Sequence, residues 1–205
     1  MLKELYFIRH GETEFNALGM VQGRGIDSDL NDVGRKQAEA FYEYYKDYPF
    51  DKVYTSTLKR THQTVKRFIE SGLAWEQLSG LDELAWGELE GKPATEDSRG
   101  AFRQLTERWQ AGDYDAKVDG GESPAEVEVR LQVAIDTIMG HTEEHTVLIC
   151  MHGRALRLLL CKLTNKPISQ MTDFPHQNTG LYRLTFEDGL FTIIEANNTD
   201  HLKKS

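Results

Sequence analysis

The sequence predicts an α/β fold: a three-layer sandwich with helices on both faces of a mostly parallel central sheet and a C-terminal antiparallel hairpin. Three observations lead there. Short β-prone apolar runs alternate with stretches of helical periodicity. One run, Thr146–Met151 (TVLICM), is apolar almost throughout, as in a parallel strand covered on both faces. Late in the chain, Gly180–Phe186 and Leu190–Glu195 flank a Glu187-Asp188-Gly189 turn, the pattern of a β-hairpin.

Each element follows from its own residues. Glu4–Arg9 (ELYFIR) is short, apolar and β-prone, and runs into His10-Gly11. After a loop bearing Gly and Asp, the residues Ala38, Phe41, Tyr42, Tyr45 and Tyr48 recur at helical spacing, so a helix is expected over Asp32–Tyr48 with Asn31 as N-cap. Lys52–Thr55 is a second strand. Leu58, Thr61, Val65, Phe68 and Ile69 mark a helix capped by Ser56 or Thr57 and ended by Gly72. Residues 92–121 are polar, with one modest helix suggested by Phe102, Leu105 and Trp109; an insertion of this kind often covers a site built elsewhere. Ser123-Pro124-Ala125-Glu126 is a capping box with Pro at the first helical position, and Val127, Leu131, Ala134, Ile135 and Ile138 form the apolar stripe that follows. Arg154–Leu163 is apolar on nearly every side and reads as a buried helix.

Composition narrows the function. The chain has 205 residues, 39% of them hydrophobic, and neither a repeat nor a Pro/Gly/Ser linker divides it, so residues 1–205 are expected to form one domain. The formal charge of −9, from 24 Lys and Arg against 33 Asp and Glu, is spread along the chain with no basic stretch, which argues against nucleic acid as a partner. No apolar run is long enough to span a membrane. Cys150 and Cys161 sit in apolar runs and read as buried hydrophobes; with no export-type start, a cytoplasmic location is expected.

In such sheets ligands bind beyond the carboxyl ends of the strands. Right-handed crossovers bring three of those ends to one edge, and with them Arg9, His10, Arg60, His152 and Gly153. Helix starts at the same edge add N–H groups and positive dipole ends. Two arginine forks and two imidazoles from distant parts of the chain suit a phosphoryl group.

These residues also carry a family resemblance. Phe7-Ile8-Arg9-His10-Gly11-Glu12-Thr13 resembles the signature of the histidine phosphatase superfamily, which includes phosphoglycerate mutases and related phosphatases. Asn16 and Gln22-Gly23 resemble its phosphate-loop positions, and Leu30 through Ala38 its first helix. Tyr54 through Thr64 is similar to the segment of the second arginine, Glu83 through Gly91 to that of the proton donor, and Gly120-Gly121-Glu122-Ser123 and Met151-His152-Gly153 also match. The likeness covers nearly the whole chain.

The resemblance implies that His10 is the nucleophile, with Arg9, Arg60 and a protonated His152 holding the phosphoryl oxygens, and Asn16, Gln22, Gly23 and Gly153 binding substrate. Histidine chemistry agrees: a neutral imidazole attacks phosphorus in line, splitting one displacement into two. Glu83 is the implied proton donor, since a nearby phosphate dianion and partial burial both favour its acid form. Neither a metal nor any other cofactor is expected, because fixed cations already supply the charge. Glu12 is read as structuring the loop through backbone N–H groups. His141 and His145, four apart at a helix end, are read as solvated rather than as a zinc pair, His62 as a surface group and His176 as an ordinary loop histidine. Arg154 is open between binding phosphate and an ion pair beneath the site, Arg157 is noted beside it, and Trp86, Phe102, Trp109 and Tyr114 are open between lid and core.

The expected function is metal-independent hydrolysis of a small phosphorylated metabolite through a phosphohistidine. A phosphoglycerate mutase using 2,3-bisphosphoglycerate is the alternative, and an inactive phosphate-binding or scaffold protein the third. Hydrolysis is preferred because Glu83 is followed by Leu84-Ala85-Trp86-Gly87 instead of the mutases' Arg-His-Tyr-Gly, and the following insertion is short. The remote part of the substrate is expected to contact residues 92–119; the sequence leaves the substrate and the oligomeric state open.

Overall fold

The computed structural model describes residues 2–93 and 95–203. Met1, Ala94, Lys204 and Ser205, which the sequence reading places within its single domain, lie outside the described residues. Six strands form one sheet: β1 (Lys3–Arg9), β2 (Lys52–Thr55), β3 (Ala74–Gln77), β4 (Thr146–Met151), β5 (Leu181–Glu187) and β6 (Leu190–Asn198), in the order β3-β2-β4-β1-β5-β6. The first four positions are parallel; β5 runs antiparallel to β1, and β6 to β5. The α-helices among the described residues are α1 (Glu14–Ala17), α2 (Asp32–Tyr45), α3 (Lys59–Glu70), α4 (Glu96–Gln110), α5 (Pro124–Gly140) and α6 (Gly153–Leu163).

Two hydrophobic cores, one on each face, account for this order. Along β1, Leu5 and Phe7 join the core made with α5 and α6, whereas Tyr6 and Ile8 join the one made with α2 and α3. In β4, Val147, Ile149 and Met151 alternate in the same way with Leu148 and Cys150. Each fully buried side chain of this size contributes ~1.5–3 kcal/mol relative to exposure, so double coverage fixes β1 and β4 at the centre. The apolar TVLICM run thus has the two-sided burial expected of it.

The helix ends follow local chemistry. Asn31 caps α2, its side chain accepting from Gly34 N–H, and the Ser123–Glu126 capping box starts α5. The α2 helix stops at Tyr45, three residues short of the expected Tyr48, just ahead of Pro49. Leu58, not Ser56 or Thr57, is the N-cap of α3, and it has no side-chain cap bond. Both hydroxyls are used otherwise: Ser56 Oγ accepts from Leu58 N–H, and Thr57 Oγ1 donates to Asp82. The unanticipated β3 is an edge strand of sequence AWEQ, mostly exposed and without apolar alternation. Asp188 and Gly189 both have positive φ (51° and 83°), the conformation of a two-residue hairpin turn.

Register places the site. Arg9 pairs with Met151 and Thr55 with Cys150, so β1, β2 and β4 end in step. His10, Ser56 and His152 follow those ends directly. Gly11 and Gly34 let the loop after β1 lie against the start of α2; a Cβ on Gly11 would stand 2.6 Å from the Gly34 carbonyl oxygen.

Candidate active site

His10 is 3% exposed, and its Nδ1 lies 2.7 Å from the Gly11 carbonyl oxygen. A carbonyl only accepts, so Nδ1 carries the proton and Nε2 keeps the lone pair. The backbone on either side is tied down by Gly11 N–H to Thr64 Oγ1 and by Asn178 Nδ2 to the His10 carbonyl. Burial, then the Arg60 and Arg9 cations, hold the His10 imidazole well below the ordinary histidine range, which keeps it neutral.

His152 stands beside it, with ring centroids 5.2 Å apart. Its Nδ1 accepts from Arg60 Nε at 3.2 Å and its Nε2 donates to Ser56 Oγ at 2.7 Å. This corrects the expectation of a protonated His152: the nitrogen facing a guanidinium donor must hold a lone pair. Burial and Arg60 push this imidazole well below its usual range as well.

Arg60 is fully buried, and its fork is already engaged with protein. Nη1 donates to the Ile26 carbonyl at 2.6 Å and Nη2 to that of Gly23 at 3.2 Å. Gln22 turns its amide oxygen to Arg60 Nε and Nη1 (2.8 and 3.1 Å), because a guanidinium offers only donors, and its amide nitrogen donates to Thr13 Oγ1 and Ser28 Oγ. Arg60 therefore organises the loop of Gln22 and Gly23 from behind. It and His152 do not line the cavity in which His10 sits.

Glu83 comes from the segment after β3 and is 7% exposed. Its Oε1 accepts from Leu84 and Ala155 N–H at 2.8 and 2.9 Å, and its Oε2 from Arg154 N–H at 3.0 Å. The carboxyl group is thus anchored on the first-turn N–H groups of α6. Arg130 fixes the same segment by donating to the Gly80, Asp82 and Glu83 carbonyls, with Glu122 as its carboxylate partner at 2.9 Å.

The cavity, about 370 Å³, is lined by Arg9, His10, Asn16, Gln22, Glu83 and Gly153 together with residues from outside the expected set. Arg9 Nη1 donates to His176 Nδ1 at 3.2 Å and to the His176 carbonyl at 3.1 Å, while its buried Nε has no partner among the described residues. Asn16 commits its amide oxygen to Thr13 N–H and Asn178 Nδ2, leaving its amide N–H groups for the cavity. Gly153 lies under the His176 ring. Gly23 is outside the lining, and a side chain on it would meet the Glu90 carboxylate.

Sequence reasoning missed the role of His176, which bridges Arg9 and Gly153; the bare backbone after His152 was the one available sign that another group packs there. The Glu12 carboxylate accepts from the Asn31 side-chain amide at 2.8 Å instead of from backbone N–H groups, tying the signature loop to α2. Among the aromatics, Trp86 and Phe102 line the cavity, Trp109 is fully buried core and Tyr114 packs against that core. Arg154 stacks on the first three of these and makes no ion pair among the described residues; Arg157 donates to the Phe174 carbonyl at 2.7 Å. His62 is half-buried against Trp75, at 4.7 Å between ring centroids. His141 pairs with Glu143 at 3.5 Å, and His145 is exposed outside that group. No helix among the described residues is long and apolar enough to cross a membrane.

A buried neutral imidazole with one free nitrogen, an arginine with an open donor and a carboxyl group on one cavity can carry out nucleophilic displacement at phosphorus. The chain resembles several known proteins, phosphatases among them. Phosphoserine phosphatase 1 of Hydrogenobacter thermophilus is 27% identical over 97% of this chain and 94% of that protein. A protein of Yersinia pestis described as probable phosphoglycerate mutase GpmB is 29% identical over the same shares. The phosphoserine phosphatase of Entamoeba histolytica, solved with 3-phosphoglyceric acid, superimposes with a TM-score of 0.85 at 25% identity, covering 98% of this chain and 99% of that one. YhfR of Bacillus stearothermophilus superimposes with a TM-score of 0.84 at 28% identity and the same coverage. The sequence profile of the histidine phosphatase superfamily, branch 1, matches residues 5–199, and the chain belongs to that family.

Proposed function

We propose that the protein hydrolyses a small phosphomonoester without a metal ion, by way of a phosphohistidine at His10. The observation that carries this reading is the His10 ring itself, whose Nδ1–H is committed to the Gly11 carbonyl so that Nε2 is the nitrogen left to attack. In the first step the Nε2 lone pair forms the N–P bond, the ester P–O bond breaks, and Glu83 gives its proton to the leaving oxygen. In the second, Glu83 takes a proton from water, the water oxygen bonds to phosphorus, and the N–P bond breaks to regenerate neutral His10. Arg9 and the Asn16 amide supply charge stabilisation to the phosphoryl oxygens, with Arg60 and His152 positioning the loop and the nucleophile behind them.

Transfer between phosphoglycerates is a second reading, favoured by the identity to the mutase-described relative. Hydrolysis is supported by the segment after Glu83, where Leu84, which is buried, and Ala85 stand in place of a mutase's Arg and His. The two are separated by giving the enzyme 3-phosphoglycerate with and without 2,3-bisphosphoglycerate and measuring released phosphate against interconversion. Release of phosphate, with a labelled acid-labile adduct trapped by rapid quench, is expected. Interconversion with little free phosphate, or no adduct and no turnover across a phosphoester panel, overturns the hydrolase reading in favour of a mutase or a binding protein respectively.

A further inference from the structure

The cavity at His10 extends beyond the groups that phosphoryl transfer uses. Trp86, Leu89 and Phe102 line it, and so do three cations that the mechanism leaves unassigned, Lys92, Arg99 and Arg154. Arg154 is the most built-in of the three. Its guanidinium lies 5.4 Å from the Trp86 ring centroid, 5.6 Å from Phe102 and 5.8 Å from Trp109, and its Nη1 meets Met171 Sδ at 3.3 Å. Aromatic faces orient a guanidinium but do not neutralise it.

Its surroundings set it apart from the chain's other arginines. Arg24, Arg130 and Arg183 are among those that pair with carboxylates, and Arg60 and Arg157, which do not, donate to backbone carbonyls instead. Arg154, although mostly desolvated, makes no ion pair among the described residues, and the Glu83 carboxylate on its backbone N–H acts on its charge only at a distance. Arg9 shares that condition, and there the missing partner is the phosphoryl group that the mechanism puts beside His10. A second unpaired, desolvated cation on the same cavity calls for a second anion.

We propose that Arg154 is a specificity-determining residue that receives a second anionic group, a carboxylate or a further phosphate, on the phosphomonoester held at His10. The inference rests on the hydrolase reading and adds the substrate class. Met20, Val21 and Leu89 line the same cavity and suit the short carbon skeleton joining the two anions. The backbone N–H of Arg154 holds Glu83, so one residue ties the proton donor to the recognition of the substrate's other end.

The test uses two matched pairs of substrates: 3-phosphoglycerate against glycerol 3-phosphate for the carboxylate, and 1,3-propanediol bisphosphate against the monophosphate for the second phosphate. The readout is the ratio of kcat/KM within each pair, which divides out general damage. Wild type is expected to prefer the doubly anionic member of at least one pair, and the pair that responds identifies the group. Arg154→Met, which keeps the contact with the rings, should lower that ratio about 10–100-fold, mainly through KM, as for loss of a charge-assisted hydrogen bond. Arg154→Lys should restore part of it. A wild-type ratio within about twofold of one in both pairs, a result that needs no variant, overturns the assignment while leaving the hydrolase reading intact, as does an unchanged ratio in Arg154→Met. If none of the four esters, nor p-nitrophenyl phosphate, releases phosphate, the hydrolase reading and the inference fall together.

Discussion

Replacing Gly153 by Ala adds one methyl group and removes no chemical function, yet it should cost activity. The residue opens α6 directly after His152, and its φ is not positive, so the backbone itself accepts alanine. Helix propensity alone would even stabilise the variant by up to ~1 kcal/mol. The obstacle is His176: a Cβ on residue 153 would stand 2.8 Å from its Cε1, 3.0 Å from Nδ1 and 3.1 Å from Nε2. Overpacking of this kind costs about 1–3 kcal/mol, so the contact outweighs the propensity gain. For a chain of this size a net loss of about 1–2 kcal/mol corresponds to a Tm lower by roughly 2–8 °C. The functional effect follows from where the ring goes. His176 Nδ1 and its carbonyl both accept from Arg9 Nη1, at 3.2 and 3.1 Å, and a displaced ring gives up the first bond. Losing one hydrogen bond to a charged group is worth ~1.5–3 kcal/mol, or about 10–100-fold in kcat/KM for p-nitrophenyl phosphate. In a His176→Ala background the methyl has room, and the same substitution should then change kcat/KM by less than about threefold. Full activity with a raised Tm in Gly153→Ala, or an equal loss in both backgrounds, would refute the reasoning.

Glu83→Gln keeps the shape of the side chain but removes the proton it transfers; kcat is expected to fall ~10²–10⁴-fold with a smaller change in KM, and undiminished turnover in steady-state assays would remove Glu83 from the mechanism. Thermal unfolding should depend on pH. Burial holds His176 down to about 3 and His201 to about 4, so between those values and the ordinary histidine value of ~6.5 the unfolded chain binds more protons than the folded one. Their contribution is complete above ~6.5 and is lost as pH falls from there toward 4, so Tm should drop over that interval; a flat profile contradicts the burial of these rings in neutral form. EDTA should leave phosphate release unchanged, because Arg9 and Asn16 carry the charge roles; inhibition reversed by a divalent ion contradicts that assignment.

Much of this architecture is legible in local sequence. The TVLICM run betrays double coverage because every side chain in a central parallel strand meets a core, and Ser123-Pro124-Ala125-Glu126 specifies a helix start by its own hydrogen bonds. The edge strand β3 escapes because its exposed AWEQ sequence has no core to imprint a period on it. At the site, strand ends in register are enough to bring Arg9, His10 and His152 together. The partners of those side chains are not legible. That Arg60 spends its fork on the Gly23 and Ile26 carbonyls, or that His176 reaches Arg9 from a loop, depends on contacts between segments with no fixed spacing. The charge state of His152 follows from the same contacts, which is why the cation that the resemblance implies is a neutral acceptor in place.

The nitrogen that bears phosphorus is the most direct test of the mechanism. With His10 Nδ1–H held by the Gly11 carbonyl, a trapped intermediate examined by ³¹P and ¹⁵N NMR on histidine-labelled protein should show phosphorus bonded to His10 Nε2. Phosphorus on Nδ1, on another residue, or passing to water with no covalent intermediate would contradict it.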